Sequence, residues 1–173
     1  NNMAWVPHNG PQVNLPGDAA LNAVAFGSST NLFVAGGVKG MIFTSTNRGI
    51  DWLRTDPTYP VFGGSQYTVE GLAYNPNPGY GTFVAVARAP YASYSTSTNF
   101  PPPTWEIAKF NNLSIFEQYK DVTAMGTNGF ALCGIFGTVR RSTDGGTNWT
   151  RSDPLDFSKP DLFGIAWNGD ISR

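Results

Sequence analysis

Apolar residues along the chain fall in short runs that are separated by turns containing glycine. The segments "LFVAGG" (32–37) and "TFVAVA" (82–87) are almost continuously apolar, which is typical of strands buried on both faces. The segment "MIFTST" (41–46) alternates, so Met41 and Ile42 are expected on opposite sides of a strand. No segment has a convincing helical period. The pattern therefore predicts an all-β protein built from short strands.

The strand pattern is repeated along the chain. Each unit has a short apolar strand, a turn, a second apolar strand, a turn with glycine, a third strand ending in serine, and a segment with tryptophan. Copies begin near residues 21, 69 and 122, and a fourth begins at "LFGIAWNG" (162–169). Four strands in a unit of roughly 40–50 residues are the pattern of a β-propeller blade.

The repeat also predicts the domain organisation. We expect residues 1–173 to form a single arc of a β-propeller with four-stranded antiparallel blades. Since propellers usually have about four to eight blades, this arc is expected to belong to a longer propeller. Complete blades are predicted over 20–57, 68–109 and 121–154, and partial blades over 1–10 and 162–173.

Two segments carry the clearest repeat, "STNRGIDW" (45–52) and "STDGGTNW" (142–149). A short Asp or Asn side chain at the third position can accept backbone N–H groups within its own turn. Glycine adopts the positive φ that such a turn requires. The tryptophan begins the outer strand, where its large ring can pack between blades. Both segments therefore predict hairpin turns between the third and fourth strands, with an architectural role.

The spacing of Ser142, Asp144, Gly146 and Trp149 resembles the Asp-box, or bacterial neuraminidase repeat, of sialidase-like propellers. The repeat is also similar to the Ycf48-type photosystem assembly propellers and to blades of bacterial and phage surface proteins. The resemblance implies that these residues hold the architecture and do not catalyse. The other matching positions are Ser45, Asn47, Gly49 and Trp52, and, in a degenerate copy, Ser95 and Trp105.

Composition excludes several classes of partner. Only 13% of residues are charged and the net charge is −1, which argues against nucleic-acid binding and against a polybasic membrane patch. No apolar run approaches the roughly 20 residues that span a bilayer, so no membrane insertion is expected. Cys133 is the only cysteine, and its neighbours "FALCGIF" predict a buried strand rather than a disulfide or a zinc site.

Candidate chemistry is sparse. The resemblance to sialidases would imply an arginine triad, a Tyr–Glu pair and an acid/base Asp, but the Phe/Tyr-Arg-Ile-Pro signature of that family is absent. His8 is the only histidine, so we predict no catalytic residues, no metal site and no cofactor. Arg88, Tyr91 and Tyr94 are weak candidates for binding a ligand. The remaining arginines considered are expected to be solvated or to lie between blades: Arg48, Arg54, Arg140 and Arg141.

These patterns favour a noncatalytic propeller that serves as a structural or interaction module of a large extracellular assembly or phage virion. Its expected partners are other protein subunits, with surface glycans as a second class of ligand, and its expected location is extracellular or on the virion surface. One alternative is a fragment of a sialidase-type glycoside hydrolase. A second alternative is a Ycf48-like photosystem assembly factor.

Overall fold

The computed structural model describes residues 20–54, 67–76, 81–95, 104–151 and 153–169. These residues form three separate sheets, each built around four antiparallel strands that follow one another in the chain. We name the sheets blades one, two and three. The described residues contain no α-helix, only a single turn of 3₁₀ helix at Val38–Gly40. The predicted all-β class with four-stranded antiparallel sheets is therefore confirmed.

Each blade begins with a long first strand and ends with a short outer strand. Blade one contains β1 (Leu21–Gly27), β2 (Leu32–Gly37), β3 (Ile42–Ser45) and β4 (Leu53–Arg54). Blade two contains β5 (Val69–Asn75), β6 (Thr82–Ala87), β7 (Ala92–Ser95) and β8 (Trp105–Ile107). Blade three contains β10 (Tyr119–Met125), β11 (Gly129–Gly134), β12 (Val139–Ser142) and β13 (Asn148–Arg151).

Blade three has a fifth strand that the sequence pattern does not predict. After β8 the chain continues into β9 (Lys109–Phe110), which pairs in parallel with β13 at the outer edge of the next blade. The backbone N–H of Lys109 donates to Thr147 O at 2.8 Å, and that of Asn111 donates to Trp149 O at 3.1 Å. The connection from blade two therefore covers an edge that would otherwise expose unpaired backbone groups.

The first strands of the three blades lie side by side, with β5 in contact with both β1 and β10. Gly71 on β5 marks the closest approach. A Cβ atom at this position would lie 3.0 Å from Asp121 Cα and 3.1 Å from Val122 N on β10. Glycine is required here because the backbone of the neighbouring strand occupies the space of a side chain.

Two apolar clusters fill the spaces between the blades. Successive residues of a strand point to opposite faces, so Leu72 belongs to the cluster between blades one and two and Ala73 to the cluster between blades two and three. Strand β6 behaves in the same way, with Ala85 in the first cluster and Val84 in the second. The continuous apolar run of 82–87 is therefore buried on both faces, as the sequence predicts.

A buried ionic cluster anchors the connection between β9 and β10. Arg140 on β12 donates from Nε and Nη2 to the two carboxylate oxygens of Glu117, at 2.7 and 2.8 Å, and both side chains are fully buried. Arg151 Nη1 donates to the same carboxylate at 2.7 Å, and Tyr119 Oη donates to it at 3.0 Å. Burial disfavours the charged form of Glu117, but Arg140, Tyr119 and Arg151 outweigh that effect and hold its pKa below the usual value.

The remaining N–H groups of Arg140 also have acceptors. Nη1 donates to the carbonyl oxygen of Asn111 at 2.8 Å and to its Oδ1 at 3.3 Å, and Nη2 donates to Asn112 O at 3.1 Å. The guanidinium also lies over the ring of Phe110, with 5.3 Å between Cζ and the ring centroid. All five donors of the guanidinium are thereby satisfied within the fold, so Arg140 is an inter-strand structural residue, as expected from the sequence.

Cys133 lies buried on β11. Burial raises the pKa of its thiol to about 11, with the nearby carboxylate of Asp121 contributing in the same direction. The thiol therefore remains protonated near neutral pH. No helix within the described ranges is long and apolar enough to cross a membrane.

We expect Glu117→Gln to lower the free energy of unfolding by about 3–5 kcal/mol, because it leaves the buried Arg140 without its counter-ion. Glu106→Gln is the matched control: Glu106 also accepts a tyrosine hydroxyl but is exposed, so its loss should cost less than about 1 kcal/mol. Urea titrations of the three proteins measure both values. Equal stability of the two variants would contradict the structural role of Glu117.

The stability difference between wild type and Glu117→Gln is expected to depend on pH. Because the folded-state pKa of Glu117 is lowered from 4.5, ionised Glu117 contributes its full stability above that pH. The stability difference between wild type and Glu117→Gln should therefore be constant near neutrality and decrease as the pH falls through the lowered folded-state pKa. Urea titrations repeated at a series of acidic pH values test this sign.

Candidate functional site

The two tryptophan turns, 45–52 and 142–149, share one hydrogen-bond pattern. Ser45 Oγ accepts the backbone N–H of Gly49 at 2.9 Å, and Ser142 Oγ accepts that of Gly146 at 3.0 Å. Each serine hydroxyl also donates to the side chain two residues later, at 3.1 Å in the first turn and 2.8 Å in the second. Gly49 and Gly146 both have positive φ, 81° and 86°, a conformation that glycine adopts without steric cost.

The side chains of Asn47 and Asp144 have the same local role. Asn47 Oδ1 accepts the backbone N–H of Asp51 at 2.8 Å, and Asp144 Oδ1 accepts that of Asn148 at 2.9 Å. In each turn the tryptophan Nε1 then donates to the carbonyl oxygen of the glycine three residues earlier, at 3.0 and 2.7 Å. The indole is thus fixed by a polar contact as well as by packing.

The residue before each tryptophan completes the turn, although it lies outside the predicted set of turn residues. In the first turn Asn47 Nδ2 donates to Asp51 Oδ2, and in the second Asn148 Nδ2 donates to Asp144 Oδ2, both at 2.7 Å. The amide and the carboxylate have exchanged places between the turns. The signal was present in the sequence, since Asp51 and Asn148 occupy the same offset, and the exchange explains why Asn47 can stand where Asp144 stands.

The carboxylate of Asp144 is fully engaged inside its turn. Partial burial disfavours its charge, but the hydrogen bonds from Asn148 and Ser142 outweigh this and hold the pKa of Asp144 below its usual value. Both oxygens therefore accept hydrogen bonds from donors within the turn. Among the described residues, no group of three or more His, Cys, Asp or Glu side chains is placed to hold a metal ion.

The degenerate copy differs in its contacts. Ser95 pairs with Trp105 across β7 and β8, and Ser95 Oγ accepts the backbone N–H of Phe83 at 2.9 Å. Trp105 Nε1 is buried without an acceptor in the described part of the chain, unlike the indoles of Trp52 and Trp149. The turn itself, 96–103, lies outside the described residues.

The three tryptophans occupy equivalent places at the starts of their outer strands. Trp149 is buried in the cluster between blades two and three, and Trp105 packs against the cluster between blades one and two. Trp52 faces away from blade two, is half-buried, and lines an open cleft beside Leu21 and Ala35. Trp5 lies outside the described residues.

The weak ligand candidates Arg88 and Tyr91 come together on one face of blade two. Arg88 follows β6 and forms a 2.6 Å ion pair with Glu70 at the start of β5. Tyr91 packs its ring against Tyr67, with 5.2 Å between centroids. The guanidinium side chain remains 57% exposed. We name this group of four residues, at the edge where the first strands begin, the strand-start face.

Tyr94 does not belong to the strand-start face. Its ring packs against the cluster between blades two and three, and its hydroxyl donates to Glu106 Oε2 at 2.8 Å. Burial, together with the neighbouring Glu106 carboxylate, raises the pKa of Tyr94. Of the three ligand candidates, Tyr94 therefore lies apart from Arg88 and Tyr91.

The remaining arginines do not converge. Arg48 lies within the first tryptophan turn with a φ of 63°, Arg54 lies on the exposed outer strand β4 and Arg141 on β12. Arg140 is held by Glu117, and the other three lie on a turn and strands of blades one and three.

We expect Asp144→Ala to lower the free energy of unfolding by about 1–3 kcal/mol, because it leaves the N–H of Asn148 and the hydroxyl of Ser142 without their acceptor. Asp144→Asn should cost less, since an asparagine already performs this function at position 47. Thr143→Ala, an exposed substitution in the same turn, is the control. Denaturant titration measures all three, and an Asp144→Ala variant as stable as the control would refute the turn-capping role.

Comparison with known proteins gives matches at the level of structure. No protein-family model matches the chain, and no curated protein sequence matches it. Among solved structures, YCF48 bound to D1 peptide superposes with a TM-score of 0.63 at 17% identity, over 82% of this chain and 44% of that one. YCF48 from Cyanidioschyzon merolae superposes with a TM-score of 0.62 at 19% identity, over 80% and 41%.

The chain thus spans less than half the length of the propellers that it resembles. At this level of identity the similarity concerns the fold and not the activity. It agrees with the three sheets, the adjacent first strands and the apolar clusters between blades described above. The fold of this protein is that of a β-propeller.

Proposed function

We propose that this chain is an arc of a larger β-propeller and acts as a noncatalytic protein-interaction module. The observation that carries the proposal is the strand-start face, where an exposed arginine lies beside a pair of packed tyrosines. Tyrosine and arginine are the residue types that contribute most to protein–protein binding. In contrast, Asp144 and Arg140 are engaged in structural contacts within the fold.

The burial of one repeated position supports the proposal that the chain is an arc of a larger propeller. Val24, Leu72 and Val122 occupy the same place on the three first strands, each opposite a residue of the second strand. Leu72 is 9% exposed and Val122 is 4% exposed, because the preceding blade covers them, but Val24 is 62% exposed. Blade one therefore presents toward its open side a face that is covered in the other two blades.

The partner that we propose is a protein segment rather than a small substrate. One structural neighbour is described as bound to a D1 peptide, which shows that a propeller of this shape can hold a peptide. On this chain, Tyr67 and Tyr91 offer apolar ring surface, and Arg88 offers a cation that can exchange Glu70 for an acidic group of the partner.

The setting that we propose is a large extracellular or phage assembly, in which neighbouring subunits supply the partner segment. Surface glycans are a second class of ligand, because exposed tyrosine rings can stack on sugars. A Ycf48-like assembly factor remains the alternative that the structural neighbours favour. The sialidase alternative has less support, because Arg140 is not available to hold a substrate carboxylate.

We expect the labelled chain to bind peptides on an array of random sequences, and Tyr91→Ala to weaken the best binder about 30-fold, as for an interface hot spot. Arg88→Ala should weaken it less and reduce its salt dependence. Arg54→Ala, which changes an exposed arginine on the outer strand of blade one, is the matched control. Binding that is unchanged in Tyr91→Ala, or saturable binding to a glycan array without peptide binding, would contradict the proposal.

A fluorogenic sialoside tests the enzymatic alternative directly. We expect no turnover above buffer, because the carboxylate and arginines that do converge, Glu117 with Arg140 and Arg151, are buried and engaged with one another, whereas glycoside hydrolysis requires a pair of carboxyl groups that reach the substrate. Turnover that is abolished by Arg88→Ala would instead support the hydrolase.

A further inference from the structure

The segment Leu162–Asn168 lies beside blade three and is not part of a strand. Hydrogen bonds hold it and the residues just before it. The backbone N–H of Leu162 donates to Gly134 O at 3.0 Å, and that of Ile165 donates to Asp121 Oδ2 at 3.0 Å. Gly137 N–H donates to Pro160 O at 2.8 Å. The segment is therefore fixed on blade three next to the first strand β10.

Sequence and contacts give this segment the place of a first strand. Its letters "LFGIAWN" parallel "VEGLAYN" of β5, with glycine, alanine, an aromatic residue and asparagine at the same offsets. In the β5–β10 pair, Gly71 lies against Asp121 and Val122. On the other side of β10, Asp121 Oδ2 accepts the backbone N–H of Ile165 in the segment Leu162–Asn168. The spatial order is thus β1, β5, β10 and then Leu162–Asn168.

Each of β1, β5 and β10 is paired with a second strand that carries a phenylalanine at one fixed register. In blade three this is Phe130, which lies opposite Ala124, and in the other two blades the residue opposite is aromatic. Phe26 lies opposite Phe33 in blade one, and Tyr74 lies opposite Phe83 in blade two. Both ring pairs have centroids 4.6 Å apart. Trp167 occupies the register of Phe26 and Tyr74. A strand that pairs with Leu162–Asn168 would therefore place a phenylalanine opposite Trp167.

The space for that phenylalanine is present. In blade two the ring of Phe83 lies over Gly27, the last residue of the first strand of the preceding blade. The corresponding residue of blade three is Met125. A cleft of about 340 Å³ opens there, lined by residues that include Met125, Gly126 and Trp167. Trp167 is 39% exposed and Phe163 is 73% exposed, so both side chains are accessible to a strand added at this edge.

We propose that Leu162–Asn168 is an acceptor edge for an antiparallel β-strand of the second-strand type, whose phenylalanine enters the cleft beside Trp167. The partner that fits has six extended residues with phenylalanine near their start and small apolar residues after it, as in "TFVAVA" and "GFALCG". Backbone hydrogen bonds supply the affinity, and the aromatic register supplies the specificity. This site is separate from the strand-start face and does not depend on the function proposed for it.

The test uses the 173-residue chain and a fluorescein-labelled synthetic peptide with the sequence of 81–88, "GTFVAVAR", followed by fluorescence anisotropy. We expect saturable binding that weakens about tenfold when alanine replaces the phenylalanine of the peptide, since one buried aromatic contact is lost. A peptide of the same composition in scrambled order is the control for nonspecific apolar binding. These comparisons need no change in the protein, so they do not depend on a variant that folds.

Two protein variants then locate the site. Ala166→Pro removes a backbone donor from the middle of the segment and disfavours strand pairing, so it should weaken the peptide about tenfold or more. Ala166→Ser retains the N–H group at an exposed position and should bind like wild type. Equal unfolding midpoints of the two variants show that blades one to three are unchanged.

Three results would overturn the proposal. The scrambled peptide or the peptide without phenylalanine could bind as tightly as the original, which would show that the phenylalanine opposite Trp167 does not determine binding. Ala166→Pro could bind as well as Ala166→Ser, which would place the peptide elsewhere. The chain could instead form dimers that Ala166→Pro dissociates while the peptide does not bind, which would make a second copy of this segment the partner.

Discussion

The side-by-side packing of first strands is the constraint on which the rest of the fold depends. Gly71 permits the backbones of β5 and β10 to approach so closely that a Cβ atom would meet backbone atoms at about 3 Å. This approach brings the faces of neighbouring sheets together, and the apolar clusters between blades then exclude water. Because each blade is buried against its neighbours rather than within itself, no single blade can bury its apolar faces alone.

Charged groups in this protein are used mainly to hold connections between strands. The carboxylate of Glu117 accepts hydrogen bonds from two arginines and a tyrosine hydroxyl at the point where the chain passes from blade two to blade three. A hydrogen bond from an amide to a carboxylate closes each tryptophan turn. Asn148 donates to Asp144 in one turn, and Asn47 donates to Asp51 in the other. These groups are therefore structural, although an isolated arginine or aspartate in the sequence could equally be read as a catalytic residue.

The surfaces that remain open divide into two kinds. The strand-start face carries a pair of packed, partly exposed tyrosines and an exposed arginine. Val24, in contrast, lies at a position of the repeat that is packed when a neighbouring blade is present, and Trp167 lines an open cleft beside blade three. The first kind of surface fits a separate partner, and the second kind fits further propeller structure.

The sequence by itself determined the strands, the hairpins and the tryptophan turns, because these depend on alternation and on hydrogen bonds within about four residues. The same reasoning placed Trp105 and Trp149 between blades. Only the tertiary structure decided which residues meet across the chain: the Glu117–Arg140 pair, the Arg88–Glu70 pair, the parallel strand β9, and the separation of Tyr94 from Tyr91. Such contacts join residues far apart in sequence, and no local pattern records how closely the blades approach one another.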